Sequence, residues 1–436
     1  MTITNHQPPA ESLSKQSSKE IPIIHQGQNL GVYSDPSLPK TDLAQVFPGS
    51  TPMAGPKLTT SDDLLICCAC GAQYEVDETT GKDECRICED PRQFVPPTGQ
   101  AFTTLRKLHE GPYRNVFEPC AHNDTVVEIH TEPKFGIGQG ARLIRTPNGN
   151  VLWDLIAYLD QDTVDKVCLY SRTHISISMG PSPSKIASDI LPFSLTLCFL
   201  FNSILFWSEE KRRRKRRAIF FGHAAWFIWM EFDGVGVQIT ELGGLKFIII
   251  SHPHFYTTWA DWSSTFDCPV YMTEVDSVWA NRKDTPSATL KLLKEPSTEL
   301  LPGLTSVICG GHFPGSQVLH SLPPNTPVPT LFVADTIFAV QSSHNPDPGK
   351  RSDTISYQFL WSIPNFIPLP PEEVLKIWRC LKPLEFKATY GVMAKITNVF
   401  ERPGQSLSLK ARLLQSAKIA VKAMGYADHA IFAEEL

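Results

Sequence analysis

Charge of one sign is what this sequence has little of. Lysine and arginine total 40 against 45 aspartate and glutamate, a formal charge of -5 over 436 residues, which gives no global reason to expect nucleic acid as a partner. The N-terminus, Met1-Thr2-Ile3-Thr4-Asn5-His6, has neither the basic stretch nor the apolar core of a secretory signal, so a cytoplasmic location is expected. A phosphate-cradling loop is missing too. Gly136-Ile137-Gly138-Gln139-Gly140 has three glycines but no strand-turn-helix context and no acidic residue at the required spacing, and reads as a loop or edge strand. The 36 prolines and 26 glycines exceed what a helical bundle tolerates and suit a loop-rich α/β or β-rich enzyme. Eleven cysteines without an export signal favour thiols in a reducing compartment over a disulfide framework.

Four of those cysteines have metal spacing. Cys67 and Cys70 form one CxxC knuckle, Cys85 and Cys88 a second, fourteen residues on. Each knuckle turns two thiolates onto one ion, and four together predict a tetrahedral, structural zinc with no position left for substrate. So short a segment has little core, so the metal would supply much of its folding energy. Cys68 is the spare. The polar, turn-rich residues 1–60 read as a disordered or loosely docked tail, and 61–95 as the zinc module.

A second constellation lies in the apolar strands. Leu245-Lys246-Phe247-Ile248-Ile249-Ile250 runs into Ser251-His252-Pro253-His254, two histidines at the mouth of a buried strand. Gly310-Gly311-His312 follows about sixty residues later, and Leu331-Phe332-Val333-Ala334 ends in Asp335. Three imidazoles and a carboxylate, each just past an apolar element, predict a zinc site, with a fourth position for water if the three histidines alone hold the ion. Upstream, Ala141–Thr146 and Val151–Asp154 flank Pro147-Asn148-Gly149-Asn150, a hairpin signal.

His252-Pro253-His254, His312 and Asp335, with Leu152-Trp153-Asp154 before them, resemble the metallo-β-lactamase superfamily, in a branch that joins a four-cysteine module to the hydrolase domain. The resemblance implies an α+β fold, an αββα four-layer sandwich over residues 96–400 with a small zinc-ribbon-like module before it. It also implies metal at one sheet edge and a zinc-bound hydroxide as nucleophile. The family pattern HxHxDH would put Asp at 256 and His at 257, where this chain has Tyr256 and Thr257, and the late histidine is replaced by Tyr390. The specific ligands of a second metal are thus missing, and a single ion at the histidines is expected beside the one at the cysteines. Asp335 is expected as fourth ligand or proton shuttle, and Tyr256 and Tyr390 as phenols in the vacated pocket that hydrogen-bond a developing oxyanion.

Residues 167–238 do not fit this pattern. They hold an apolar run, Ile190 to Trp207, and seven consecutive basic residues, Lys211 to Arg217. A membrane segment at 190–207 and a basic insertion for acidic lipid or nucleic acid are two readings. The third is a translated intron: Val167-Cys168 can be encoded by a splice-donor-like GTATGT, and Val237-Gln238 by codons ending in CAG. Removing the segment joins Lys166 to Ile239 and restores a helix-to-strand unit that is locally consistent. Near the end, Pro370-Pro371-Glu372-Glu373 predicts a helix start, and within 401–436, Leu407 to Met424 an amphipathic helix. His344 reads as a surface-turn histidine rather than a ligand. The function expected is a zinc-dependent hydrolase of a small ester, lactone, thioester or amide, with a catalytically inactive metal-binding or interaction protein as the alternative. The partner expected is a small-molecule substrate, with membrane contact only through 190–207. The sequence is silent on oligomeric state.

Overall fold

A computed structural model describes residues 55–171, 174–179, 227–232, 235–240, 244–283, 285–322, 328–344, 354–393 and 396–436. The expected N-terminal tail up to residue 54, the apolar run 190–207 and the basic run 211–217 lie outside the described residues. No helix among the described residues is long and apolar enough to cross a membrane.

Among the described residues the cysteine module comes first. Strands β1 (Leu64–Cys67) and β2 (Gln73–Asp77) pair antiparallel, and β3 (Phe102–Thr103) adds on the other side of β1. The module therefore reaches past the expected boundary at 95. Its third strand leads into helix α1 (Leu105–Glu110), capped by the Thr104 side chain.

Strands β4 (Arg114–Pro119), β5 (Val126–Glu132), β6 (Gly140–Ile144) and β7 (Val151–Trp153) follow as an antiparallel run. Helix α2 (Gln161–Ser171) comes next. It runs five residues past the boundary expected for the insertion, and Val167 and Cys168 are buried in the core. Strands β8 (His174–Met179), β9 (Phe227–Phe232) and β10 (Val235–Thr240) pair with one another in a separate sheet. Strand β11 (Phe247–Ile249) then enters parallel to β7, followed by helix α3 (Trp259–Phe266), β12 (Pro269–Thr273) and β13 (Thr289–Leu293). The first main sheet has the order β13-β12-β11-β7-β6-β5-β4.

The second is built from β14 (Ser297–Leu301), β15 (Leu304–Ile308), β16 (Gln317–Ser321) and β17 (Thr330–Ala334). Two short pairs come between, β18 (Phe338–Ala339) with β19 (Tyr357–Gln358) and β20 (Leu360–Ser362) with β21 (Ile367–Pro368). Helix α4 (Pro371–Leu381) returns the chain to β22 (Ala388–Gly391), parallel to β17, and β23 (Val399–Phe400) closes that edge. Helix α5 (Leu409–Ala423), capped by Ser408, follows, and Ile431 beyond it packs into the same core.

The unbroken apolar runs are explained by period-two alternation between two buried faces. Val151, Trp153, Phe247, Ile249, Phe332 and Tyr390 meet between the sheets. Leu152, Ile248 and Ile250 point the other way, onto Val164 and Val167 of α2 and Trp259 and Trp262 of α3. Leu331 and Val333 face α4 and α5. Four layers result, helix, sheet, sheet, helix, each buried against the next. Trp259 and Trp262 are core residues, with Trp262 Nε1 donating to the Ile156 carbonyl at 3.1 Å.

Candidate metal centre

The strand ends place the site. β7 and β11 run parallel, so their C-terminal ends, Asp154 and Ser251, open on the same edge of the sheet. Asp154 Oδ1 accepts the Ser251 N–H at 2.7 Å and ties the two ends together. A short 3-10 turn, Pro253–Phe255, then swings His254 back beside His252. Across the sandwich, Gly310 and Gly311 (φ 75° and 85°) turn the chain after β15 and present His312. Three non-glycine residues around the site also hold positive φ: Asp154 at 60°, Thr257 at 32° and Ala334 at 44°. Each such conformation costs about 1–3 kcal/mol and is kept only where its surroundings impose it.

His252, His254, His312 and Asp335 converge: one donor atom from each lies within 4.8 Å of the others. Asp335 Oδ2 sits 3.1 Å from His252 Nε2, 3.7 Å from His312 Nε2 and 4.0 Å from His254 Nδ1. His312 Nε2 and His254 Nδ1 are 3.2 Å apart. Tetrahedral zinc with bonds near 2.0–2.1 Å separates its donors by about 3.3 Å, so the donor set fits one ion. The electrostatics agree. Burial pulls the His254 imidazole down to about 4 and His312 well below its ordinary range, which leaves both neutral. Burial pushes Asp335 up, but the facing His252 and His254 rings outweigh it and hold the carboxyl well below the usual range. Neutral imidazoles and an ionised carboxylate are the protonation states a cation requires. Ser251 Oγ, 2.9 Å from His252 Nδ1, orients that ring from behind.

The cysteines converge likewise. Cys67 and Cys88 Sγ atoms are 3.6 Å apart, Cys70 and Cys85 3.5 Å, near the roughly 3.8 Å edge of a tetrahedral zinc–sulfur site. Gln100 Nε2 donates to Cys67 Sγ at 2.9 Å and the Tyr74 hydroxyl to Cys85 Sγ at 3.1 Å, donors that favour thiolate.

The two phenols are placed differently. Tyr390 is fully buried, stacks on Phe332 at 5.0 Å and donates to Cys120 Sγ at 2.9 Å. Cys120 precedes β5, at the end of the sheet opposite the cluster. The structure thus does not bring Tyr390 to the site: its register beside Phe332 turns the ring between the sheets. Tyr256 packs in the core with Trp259. Burial, then the Asp276 charge, pushes its phenol well up, so it keeps its proton. The His344 ring donates to the Ile396 carbonyl at 2.8 Å, as a turn histidine would.

Three site neighbours carried no signal in the sequence. Asp276 Oδ1 accepts the Gly315 N–H at 3.0 Å, and burial pushes its carboxyl up to about 6. Gly315 can be nothing else, since a Cβ there would stand 2.1 Å from Thr273 Oγ1. Gln93 Nε2 lies 3.4 Å from His254 Nδ1, and Gln139 Nε2 donates to the His254 carbonyl at 3.1 Å.

The chain is 30% identical over 332 residues to "Uncharacterized protein YmaE" of Bacillus subtilis (strain 168), covering 76% of this chain and 89% of that protein. The chain belongs to the family of YmaE. In this YmaE relative the described residues form a four-layer α+β sandwich with a cysteine-rich N-terminal module, and its two donor clusters each suit one zinc ion. No family model matches the chain. Among solved structures, VMB-1 at pH 5.5 is 12% identical, with TM-score 0.36 over 72% of this chain and all of that one. The mono-zinc form of the metallo-β-lactamase FIM-1 from Pseudomonas aeruginosa is 12% identical, with TM-score 0.35 over 71% and 96%. At these scores neither bears on substrate or mechanism.

Proposed function

We propose that this YmaE relative is a metal-dependent hydrolase acting on a small ester, lactone, thioester or amide. The observation that carries the proposal is the convergence of His252, His254, His312 and Asp335 on one point, with His254 and His312 held neutral and Asp335 ionised. Held by the three imidazoles, with Asp335 left free to act on water, a zinc ion would supply the acidity that brings the pKa of water in the site toward neutrality. The chain's own part is positional. Asp335 divides its oxygens: Oδ2 faces the imidazoles, and Oδ1, buried and without a hydrogen-bond partner among the described residues, is placed to take the proton of the attacking water. Tyr256, kept protonated, is the phenol assigned to donate to the developing oxyanion; Tyr390 has no such part. The early strand-end Asp154 holds the Ser251 turn rather than the reaction.

One observation favours a second reading, a metal-binding protein of the same fold without turnover. Asp335 is only 7% exposed and the three histidines less, which suits a bound ion more than an open substrate pocket. Turnover of an ester, lactone, thioester and amide panel by wild type and His312→Ala decides between them. Activity in the wild type that is lost in the variant supports the hydrolase. Full zinc loading with no turnover on any member of the panel supports the second reading.

A further inference from the structure

The glycine-rich loop and the cysteine module, unrelated in the sequence, meet behind the histidine cluster. Gly136 (φ 57°) lies flat against the first knuckle: a Cβ there would stand 3.3 Å from the Ala69 carbonyl oxygen and 3.4 Å from the Gly71 nitrogen. The absence of a Cβ at 136 lets the loop make that approach without crowding. It brings in Gln139, 5% exposed, whose single amide nitrogen donates to the Cys70 carbonyl at 2.6 Å and the His254 carbonyl at 3.1 Å. One side chain therefore joins a zinc-ligand residue of the module to a ligand residue of the histidine site. The Gln73 N–H, just after the knuckle, donates to the Thr257 carbonyl at 3.1 Å and holds the far end of the same histidine turn.

The module's tail reaches the cluster from the other side. After Cys88 the chain runs through Asp90 and Arg92 to Gln93, whose amide lies 3.4 Å from His254 Nδ1. That tail is held in place by Ser362, which donates to the Arg92 carbonyl at 3.1 Å. Asn365 donates to the Pro91 and Gln93 carbonyls at 3.0 and 3.1 Å. A free-standing docking module would have no need of these contacts on a buried ligand of another site.

We propose that the four-cysteine module is a structural half of the histidine metal centre, and that Gln139 is the residue that positions His254 from it. The proposal requires only that the histidine cluster holds metal, and it stands whether or not the protein turns over a substrate. Partners behind metal ligands typically contribute about 10- to 100-fold in metal affinity. The experiment is a chelator titration of the full-length, zinc-loaded chain, with each site followed by cobalt substitution: sulfur-to-cobalt charge transfer reports the cysteines, and the weaker visible bands the histidines. Gln139→Ala removes the bridge. Gln139→Met fills about the same space with no hydrogen-bond donor for either carbonyl, and so serves if the alanine variant does not fold. Each variant is expected to lose about 10- to 100-fold in affinity at the histidine site while the cysteine site, titrated with the histidine site empty, is unchanged. Equal affinity at the histidine site in wild type and both variants overturns the proposal, as does a parallel loss at both sites, which would mark Gln139 as a general fold residue.

Discussion

Arg282 offers a quantitative test of how the module is joined to the sandwich. Its Nη1 lies 2.7 Å from Asp261 Oδ1 on α3 and 2.6 Å from Gln73 Oε1 on β2, and its Nη2 3.1 Å from Ser61 Oγ. Asp261 is 2% exposed, so replacing Arg282 by methionine strands a buried carboxylate. Breaking such a pair costs about 3–5 kcal/mol. Asp261 keeps two donors, Gln73 Nε2 at 2.9 Å and the Ser61 N–H at 3.1 Å, which places the expectation at the lower end, about 3 kcal/mol. Chemical denaturation of Arg282→Met, Asp261→Asn and the double variant measures it. The double variant should be more stable than Arg282→Met alone, because neutralising Asp261 removes the stranded charge. A loss below about 1 kcal/mol in the single variant, or a double variant less stable than it, would refute the reasoning.

Tyr390→Phe removes one hydrogen bond to Cys120 at the far end of the sandwich, so stability should fall by about 1 kcal/mol with zinc content and any turnover unchanged; loss of turnover alone would return Tyr390 to the site. Asp276 gives a pH signature. Its folded carboxyl is raised from 3.8 to about 6, so the native state holds more protons than the unfolded state in that window, and wild-type stability declines as pH rises through it. The decline is roughly 3 kcal/mol at most. Asp276→Asn, which can still accept from Gly315, should lack that contribution, and denaturation at pH 4.5 and 7 should show a smaller loss than in wild type. Identical pH dependence would contradict it. Deleting 167–238 is proposed to be tolerated. The Asn150 amide donates to the Ser171 carbonyl at 3.0 Å and the Gly244 carbonyl at 3.3 Å, so the chain leaves and returns at one side chain. In the deletion, Ile239 to Gly243 supply the five positions now held by Val167 to Ser171, with Ile239 in the place of the buried Val167. The shortened chain should fold with its zinc content intact; aggregation or loss of zinc would show that the segment is integral.

Much of this was legible because it is chemistry carried at strand ends or in fixed spacing. Cys67, Cys70, Cys85 and Cys88 announce themselves by interval, and His252, His254, His312 and Asp335 by following runs that must be buried. Tyr390 misled because a late tyrosine before glycine was compared with a ligand position. The alternation of Ala388 and Tyr390, both on the inter-sheet face, points to packing instead. Gln93, Gln139 and Asp276 were invisible for another reason: an amide or a lone acid has no spacing rule, and its partner is fixed only by the fold. The three-glycine loop was set aside as a nucleotide motif, and its use, close approach to a cysteine knuckle, depends on a contact between segments about 65 residues apart.

Zinc content combined with X-ray absorption on the full-length chain tests the central claim most directly. The account predicts two equivalents in wild type, one bound by four sulfurs and one by nitrogen and oxygen, with His312→Ala retaining only the sulfur-bound ion. A wild-type chain that holds a single, entirely sulfur-ligated equivalent under zinc excess would contradict it.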